Sequence, residues 1–475
     1  MLRRLSCALL FVAWTAEWPY ETDKILYCGL WRSPFQVLGP LFVSIPGINL
    51  FPWQLMLLVL APVCVLWPGG LRNRAWALDA SIVVSFASVA VTFLWGWIRG
   101  GSPYNAYYQL WRFLVALLVA LLLVSVIRKP RDLKALGLTI VLAALVRGTL
   151  AIYFYWAIAR DRIVPPPPHM TTHDDTLLFL AGILVVLSWA LARRTAGSWW
   201  ATAVVSAHLL YAIVVNNRRL AWIELVLALA FVYALLPRGR LRTRVNQSLA
   251  AVAPLLLLYA VIGWGRPGPM FEPLRAFSTA GKSEDLSSLA RQEEIRNLLF
   301  TFATANPLLG TGWGIPYREM SGNFTHFGQE WWQYGYMPHN SLLGVVAFAG
   351  LLGLGGIWLV VPVAAMLATR GYRGSTRPAE RAGAMAALCI LPAYGAQCYG
   401  DIGFQSLTCA LILAVALAVS GKVSAWAAAP VEWAGQRRRR GHPPRPLAGG
   451  RPSSERPAPS AGTPPLLAAG RGHRR

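Results

Sequence analysis

Apolar runs of roughly 20 residues, the length a helix needs to cross a hydrocarbon core about 30 Å thick, recur from one end of this sequence to the other. Within lipid a chain must satisfy its own backbone N–H and C=O groups, which leaves only helices and closed barrels. The runs are continuous rather than alternating, which argues against a β-barrel, so the chain reads as an all-α polytopic membrane protein. Spans are expected near residues 5–20, 51–67, 75–98, 110–127, 133–155, 175–192, 198–215, 219–236, 248–264, 341–368, 382–399 and 404–421, about twelve transmembrane helices. Residues 35–50 are apolar but interrupted by Pro40 and Pro46, and read as a re-entrant or interfacial piece.

Charge orients the spans. A formal net charge of +24 would suggest a nucleic-acid partner in a soluble protein, but here the basic residues gather in short loops between apolar runs, and no nucleic acid is implied. Arg72 and Arg74, then Arg128 to Lys134, Arg193 and Arg194, Arg238 to Arg244, and Arg370 to Arg381 fall on every second loop. Those loops and both termini are therefore expected in the cytoplasm. The N-terminal stretch "MLRRLSCALLFVAWTAEWPY" lacks a small-residue cleavage site and reads as the first span. The expected organisation is spans 1–9 in residues 1–264, an outer loop domain in 265–340, spans 10–12 in 341–421, and a disordered basic tail in 422–475 suited to anionic head groups. The loop carries six basic and seven acidic residues, unlike the basic remainder, and a loop of that length is usually functional. The six cysteines show no CxxC spacing, which points to neither a metal site nor a disulfide framework.

Three outward-facing stretches hold charge where the topology makes it costly. In "NNRRLAWIELVL", Arg218 and Arg219 sit at the outer end of a span, where arginines either snorkel to lipid phosphates or capture an anion. In "SSLARQEEIRNLLFTFATANPLLGTGWG", Ser287 or Ser288 caps an expected helix that Asn306-Pro307 ends. Ile295, Leu298, Leu299 and Phe302 give it an apolar face for lying on the membrane, with Arg291 beside the head groups. In "YMPHNSLLGVVAFAGLLGLGG", Asn340 or Ser341 caps a helix whose N-terminus favours an anion, and His339 stands at the water–lipid boundary, fit to act as a base. Cations for a diphosphate and a base for a hydroxyl are what transfer from a lipid diphosphate to an acceptor requires.

These three stretches, in this order, resemble the O-antigen ligase and polymerase superfamily of bacterial envelope enzymes, over about residues 200–356. The resemblance implies a GT-C-like fold of twelve helices with a large periplasmic loop. It implies a glycosyltransferase that moves glycan from a polyprenyl diphosphate to an acceptor hydroxyl, with no nucleotide, metal or other cofactor. The acceptor is lipid A-core, another glycan or a protein side chain, and the product is a single ligation or a polymer. It carries a catalytic role over to His339 and diphosphate binding to Arg219 and Arg291, with Arg218 and Arg112 as further cations. Arg296 and Arg218 stand where the family often has tryptophan and serine, so the choice between Arg218 and Arg219, and between Arg291 and Arg296, stays open.

Arg147 and Glu224 lie inside spans and are expected to pair, since buried charge in lipid is costly. His169, His173, Asp174 and Asp175 follow a tetraproline and read as a solvated loop rather than a metal site. A lipid or polysaccharide transporter is the rival class; it predicts internal repeats and broken helices near the midplane, and no repeat is evident.

Overall fold

The computed structural model describes residues 2–16, 43–45, 48–50, 74–160, 169–266, 286–320 and 335–428, with isolated positions between them. Eleven of the twelve expected spans coincide with helices, and the twelfth, 51–67, lies outside the described residues apart from Val59, as does the tail beyond residue 428. The helices are α1 (Leu2–Ala16), α2 (Trp76–Ile98), α3 (Pro103–Val126), α4 (Pro130–Phe154), α5 (Asp174–Arg193), α6 (Ala196–Asn216), α7 (Arg219–Leu235) and α8 (Arg240–Gly263). The loop contributes α9 (Leu286–Thr304), and α10 (Ser341–Leu352), α11 (Val360–Gly374), α12 (Pro378–Gly400) and α13 (Leu407–Ala428) follow it. Among the described residues, eight helical stretches are long and apolar enough to cross a membrane; α1 and α7, at 15 and 17 residues, are shorter. Part of the 35–50 segment forms β1 (Val43–Ile45) and β2 (Ile48–Leu50), an antiparallel pair with Val43 opposite Leu50, where no strand was expected.

Sequence explains which helices sit inside. α13 is built largely of alanine and other small residues, so neighbours approach it closely on every side, and its apolar window is wholly buried. Gly371 of α11 lies against Val423, Gly421 against Leu78 of α2, and Gly383 of α12 against Val419. In lipid such close packing, rather than water exclusion, holds helices together. α8 is the opposite case: none of its apolar window is buried, and Leu255, Leu257 and Val261 face outward as lipid-facing side chains would.

Expected span 341–368 is not one helix. α10 is broken at Gly350, whose φ of 59° no helix contains, and a π-helical turn, Gly353–Ile357, leads into α11. The loop causes the break. Thr311 and Gly312 donate their N–H groups to the carbonyls of Ala347 and Phe348 (3.0 and 2.8 Å), and Leu351 and Leu352 donate to Pro307 and Leu308. Helix carbonyls turned toward the loop cannot serve their own helix.

The Arg147–Glu224 pairing does not form. Arg147 instead grips Asp175 in the first turn of α5 with two bonds, Nε to Oδ1 at 3.0 Å and Nη2 to Oδ2 at 2.7 Å, both side chains buried. The two parallel bonds match the guanidinium fork to the carboxylate. Glu224 is fully buried on α7.

Candidate active site

The loop helix α9 arrives polar side first. Of the expected apolar stripe, Leu298 is buried and Leu299 exposed, and the polar Glu294, Asn297 and Thr301 are buried alongside Leu298. Its start at Leu286 also places Ser288 within the first turn, not at the cap. Each buried polar group answers a backbone donor that has left regular structure. Asn297 accepts from Met320 N–H (2.9 Å) and Thr301 from Arg318 N–H (2.7 Å). Glu294 accepts from His339 N–H (3.1 Å) and Asn340 N–H (2.8 Å).

Glu294 also meets the His339 ring, Oε2 to Nδ1 at 3.1 Å. An ionised carboxylate only accepts, so Nδ1 carries the proton and Nε2 is the basic nitrogen of the neutral ring. Burial pulls the His339 pKa down, but the hydrogen bond and charge of Glu294, with the charge of Asp401, more than offset this and raise it above the ordinary imidazole value. His339 is thereby an oriented base of increased strength. Asn340 caps α10, accepting from Leu343 N–H at 3.0 Å. Ser341 donates toward the Asp401 carbonyl (3.1 Å) and Gln405 Oε1 (3.0 Å), fastening the start of α10 to the turn after α12.

That turn carries Asp401, buried and shared by two partners, a guanidinium and an imidazole. Arg291 Nη2 lies 3.7 Å from Asp401 Oδ2, and His173 Nδ1 bonds the same oxygen. Burial would raise the Asp401 pKa, but His173, His339 and Arg291 hold it below the usual carboxylate range. Arg218 Nη1 points at His173 Nε2 (3.0 Å), and since a guanidinium only donates, Nε2 accepts and Nδ1–H donates to Asp401. Burial lowers the His173 pKa, as do Arg218 and Arg291 against the pull of Asp401, consistent with that neutral tautomer. The 169–175 segment is therefore packed, not a solvated loop. Asn216 at the end of α6 accepts from Met170 and Thr171 N–H, and His169, its pKa lowered to about 3 by burial and Arg218, contacts the Asn216 carbonyl. Asn217, with φ 48°, makes the left-handed turn that sets Arg218 before α7.

The expected cations come from three helices, α3, α9 and the start of α7. Arg291 of α9 lies three residues before Glu294, on the same helical face. Arg219 at the start of α7 reaches Ser288 of α9 (3.3 Å). Arg218 is buried and also bonds the Thr171 carbonyl (3.0 Å). Arg112 of α3 reaches Met337 Sδ (4.0 Å), two residues from His339, and stacks on Trp111. Arg296 is 70% exposed and paired with Glu293 on its own helix, whereas Arg291 is the α9 arginine that approaches Asp401.

Beneath the cluster lies an aromatic floor. Trp313 from the loop stacks near-parallel on Phe404 and tilts against Phe348 of α10, while Phe404 stacks on Phe113 of α3 at 4.6 Å. Trp313 reaches that depth because Gly310, Gly312 and Gly314 all have φ between 64° and 90°. A Cβ on Gly312 would lie 2.2 Å from the Gly96 Cα, so the "GTGWG" stretch is an anchor where sequence offered only a tight loop. Glu294, Asp401 and His173 were not among the expected site residues. Glu294 could have been found from its i, i+3 spacing to Arg291, whereas Asp401 shows in the sequence only as a charge near the end of a span. No cluster of three metal-binding side chains occurs among the described residues.

Residues 204–358, about a third of the chain, match the family model described as O-antigen ligase. The match includes Arg218, Arg219, Arg291, Glu294 and His339, and stops short of His173 on one side and Asp401 on the other. No curated protein matches the chain.

Proposed function

We propose, from the premise that residues 204–358 are a domain of the O-antigen ligase family, that this glycan transferase takes a glycan from a polyprenyl-diphosphate carrier and joins it to an acceptor hydroxyl. The reaction would run at the periplasmic face of a bacterial inner membrane, with lipid A-core as acceptor. His339 Nε2 takes the hydroxyl proton, the oxygen attacks the anomeric carbon, and the carbon–oxygen bond to the diphosphate breaks with its electron pair leaving on the diphosphate. One displacement inverts the anomeric centre. Arg219 and Arg291 take up the charge of the departing diphosphate, with Arg112 beside them, and Arg218 contributes through His173. The imidazolium formed on His339 is stabilised by Glu294. A diphosphate paired with guanidiniums is already a good leaving group, so the scheme assigns no nucleotide or metal.

One observation carries this reading: a base oriented by a buried carboxylate on the very helix that presents an arginine one turn away. The test is transfer by purified protein in detergent with EDTA, from polyprenyl-diphosphate glycan to lipid A-core or to free lipid-linked glycan. Wild type should make one lipid A-core conjugate and His339→Ala none. A ladder of lengthening glycans would make the protein a polymerase, and transfer only to a polypeptide a protein O-oligosaccharyltransferase. If folded wild type transfers to no acceptor, the transferase reading fails and transport takes its place.

A further inference from the structure

At the opposite end of the bundle, where α4 and α12 begin and α5 ends, a slot of about 520 Å³ opens between α4, α5, α6, α12 and α13. That volume is typical of a ligand cavity. Its walls are almost wholly apolar. α12 supplies a floor of Ala382, Gly383, Ala386 and Ala387, whose small side chains leave the space that longer ones would fill. One side is open, for Leu138 and Leu142 of the α4 wall are exposed. Along α4 the slot runs from Leu133 to Leu145, about 18 Å at 1.5 Å per residue, close to half of a hydrocarbon core about 30 Å thick.

The mouth is basic. Lys134 lines it, and its ammonium lies 5.1 Å from the centre of the Trp189 ring; the Arg193 guanidinium lies 5.3 Å from the same ring. Neither cation has a carboxylate partner among the described residues. An indole with two cations on it sets their height at the level where Trp meets head groups. A single-leaflet apolar slot with two positive charges at its mouth complements one chemistry: an acyl chain joined to an anionic head.

We infer that this slot binds an anionic glycerophospholipid, one acyl chain lying along α4 and the phosphate held by Lys134 and Arg193. The positive-inside reading of the same loops makes it a lipid of the cytoplasmic leaflet. The slot is lined by none of the residues proposed to act in transfer.

Native mass spectrometry of the full chain in detergent tests this, with phosphatidylglycerol and phosphatidylcholine offered in competition. Phosphatidylglycerol should be retained at least tenfold more strongly and should raise the thermal midpoint. K134Q/R193Q should abolish the preference, since each charge at the surface is worth roughly fivefold; K134R/R193K should keep it. V205W, which fills the slot from α6, should lose both lipids. Because K134Q/R193Q alters exposed positions only, a monodisperse elution profile suffices to show that it has folded. Equal retention of the two lipids, a preference that survives K134Q/R193Q, or the same thermal shift from inorganic phosphate alone would each overturn the inference.

Discussion

Glu294→Gln isolates the contact on which the proposed chemistry depends. Three donors converge on the Glu294 carboxylate: two backbone N–H groups and His339 Nδ1–H. An amide of the same shape has one oxygen. With that oxygen toward His339, the amide NH₂ opposes the Asn340 N–H; turned the other way, it opposes the His339 N–H and drives the ring to the wrong tautomer. Either arrangement strands one backbone donor at about 1–3 kcal/mol of stability. The larger effect is on rate. The charge-assisted bond that would stabilise the imidazolium in the transition state is worth about 1.5–3 kcal/mol, which corresponds to a roughly 10- to 150-fold loss in turnover. Transfer assays across pH read this directly. The base form of His339 exists above its folded pKa, which is raised, so wild-type turnover should climb as pH rises through a value above the ordinary 6.5. Groups facing the ring are Glu294, Asp401 and Arg291; with the first neutralised, the midpoint moves to lower pH as the plateau falls. Stability has the opposite sign: the His339–Glu294 contribution is fully present below the unfolded histidine pKa and fades as pH rises through the folded one. Unchanged turnover and an unchanged pH profile in a folded Glu294→Gln protein would refute the assignment of His339 as the oriented base.

Other perturbations read other parts of the structure. Arg291→Ala should abolish transfer while insertion and monodispersity persist, whereas Arg296→Ala, which loses only an exposed pair, should transfer at the wild-type rate. Arg147→Ala leaves Asp175 charged and buried, so folded protein in a thermal-shift or expression assay should fall by about 3–5 kcal/mol worth of stability, and Arg147→Lys, lacking the fork, should not restore it. Gly312→Ala places a Cβ 2.2 Å from the Gly96 Cα and should lower both thermal stability and transfer; Gly197→Ala, with open space around it, is the matched control.

The helices were legible because apolarity over some twenty residues has one physical solution in lipid, and eleven spans stand where hydropathy put them. His339, Arg219 and Arg291 were legible as charge at costly positions. What periodicity did not show was that α9 also buries a polar side. An apolar stripe predicts burial only when the partner is apolar, and here the partner is a set of backbone donors released by the broken chain at Met320, Arg318 and His339. The break in α10 was equally hidden, because it is imposed by Thr311 and Gly312, some thirty-five residues upstream, and its own sequence is only glycine-rich. Arg147 found Asp175 rather than Glu224 because pairing depends on which helix ends lie side by side, a matter of topology that no local pattern encodes.

The bonds from Thr311 and Gly312 to Ala347 and Phe348 bear on how this protein can be recombined. A loop tied to the membrane only at its two ends could be exchanged between relatives like a cartridge. Here residues 307–314 and the interrupted stretch 344–352 are two halves of one joint, and Trp313 is seated in it. A hybrid that imports the loop without the matching half-helix would meet unbroken helical carbonyls where it needs open ones. The unit of exchange is therefore the loop together with the helix it opens, and crossover points belong in α8 and beyond the π-helical turn, not at the loop's own ends.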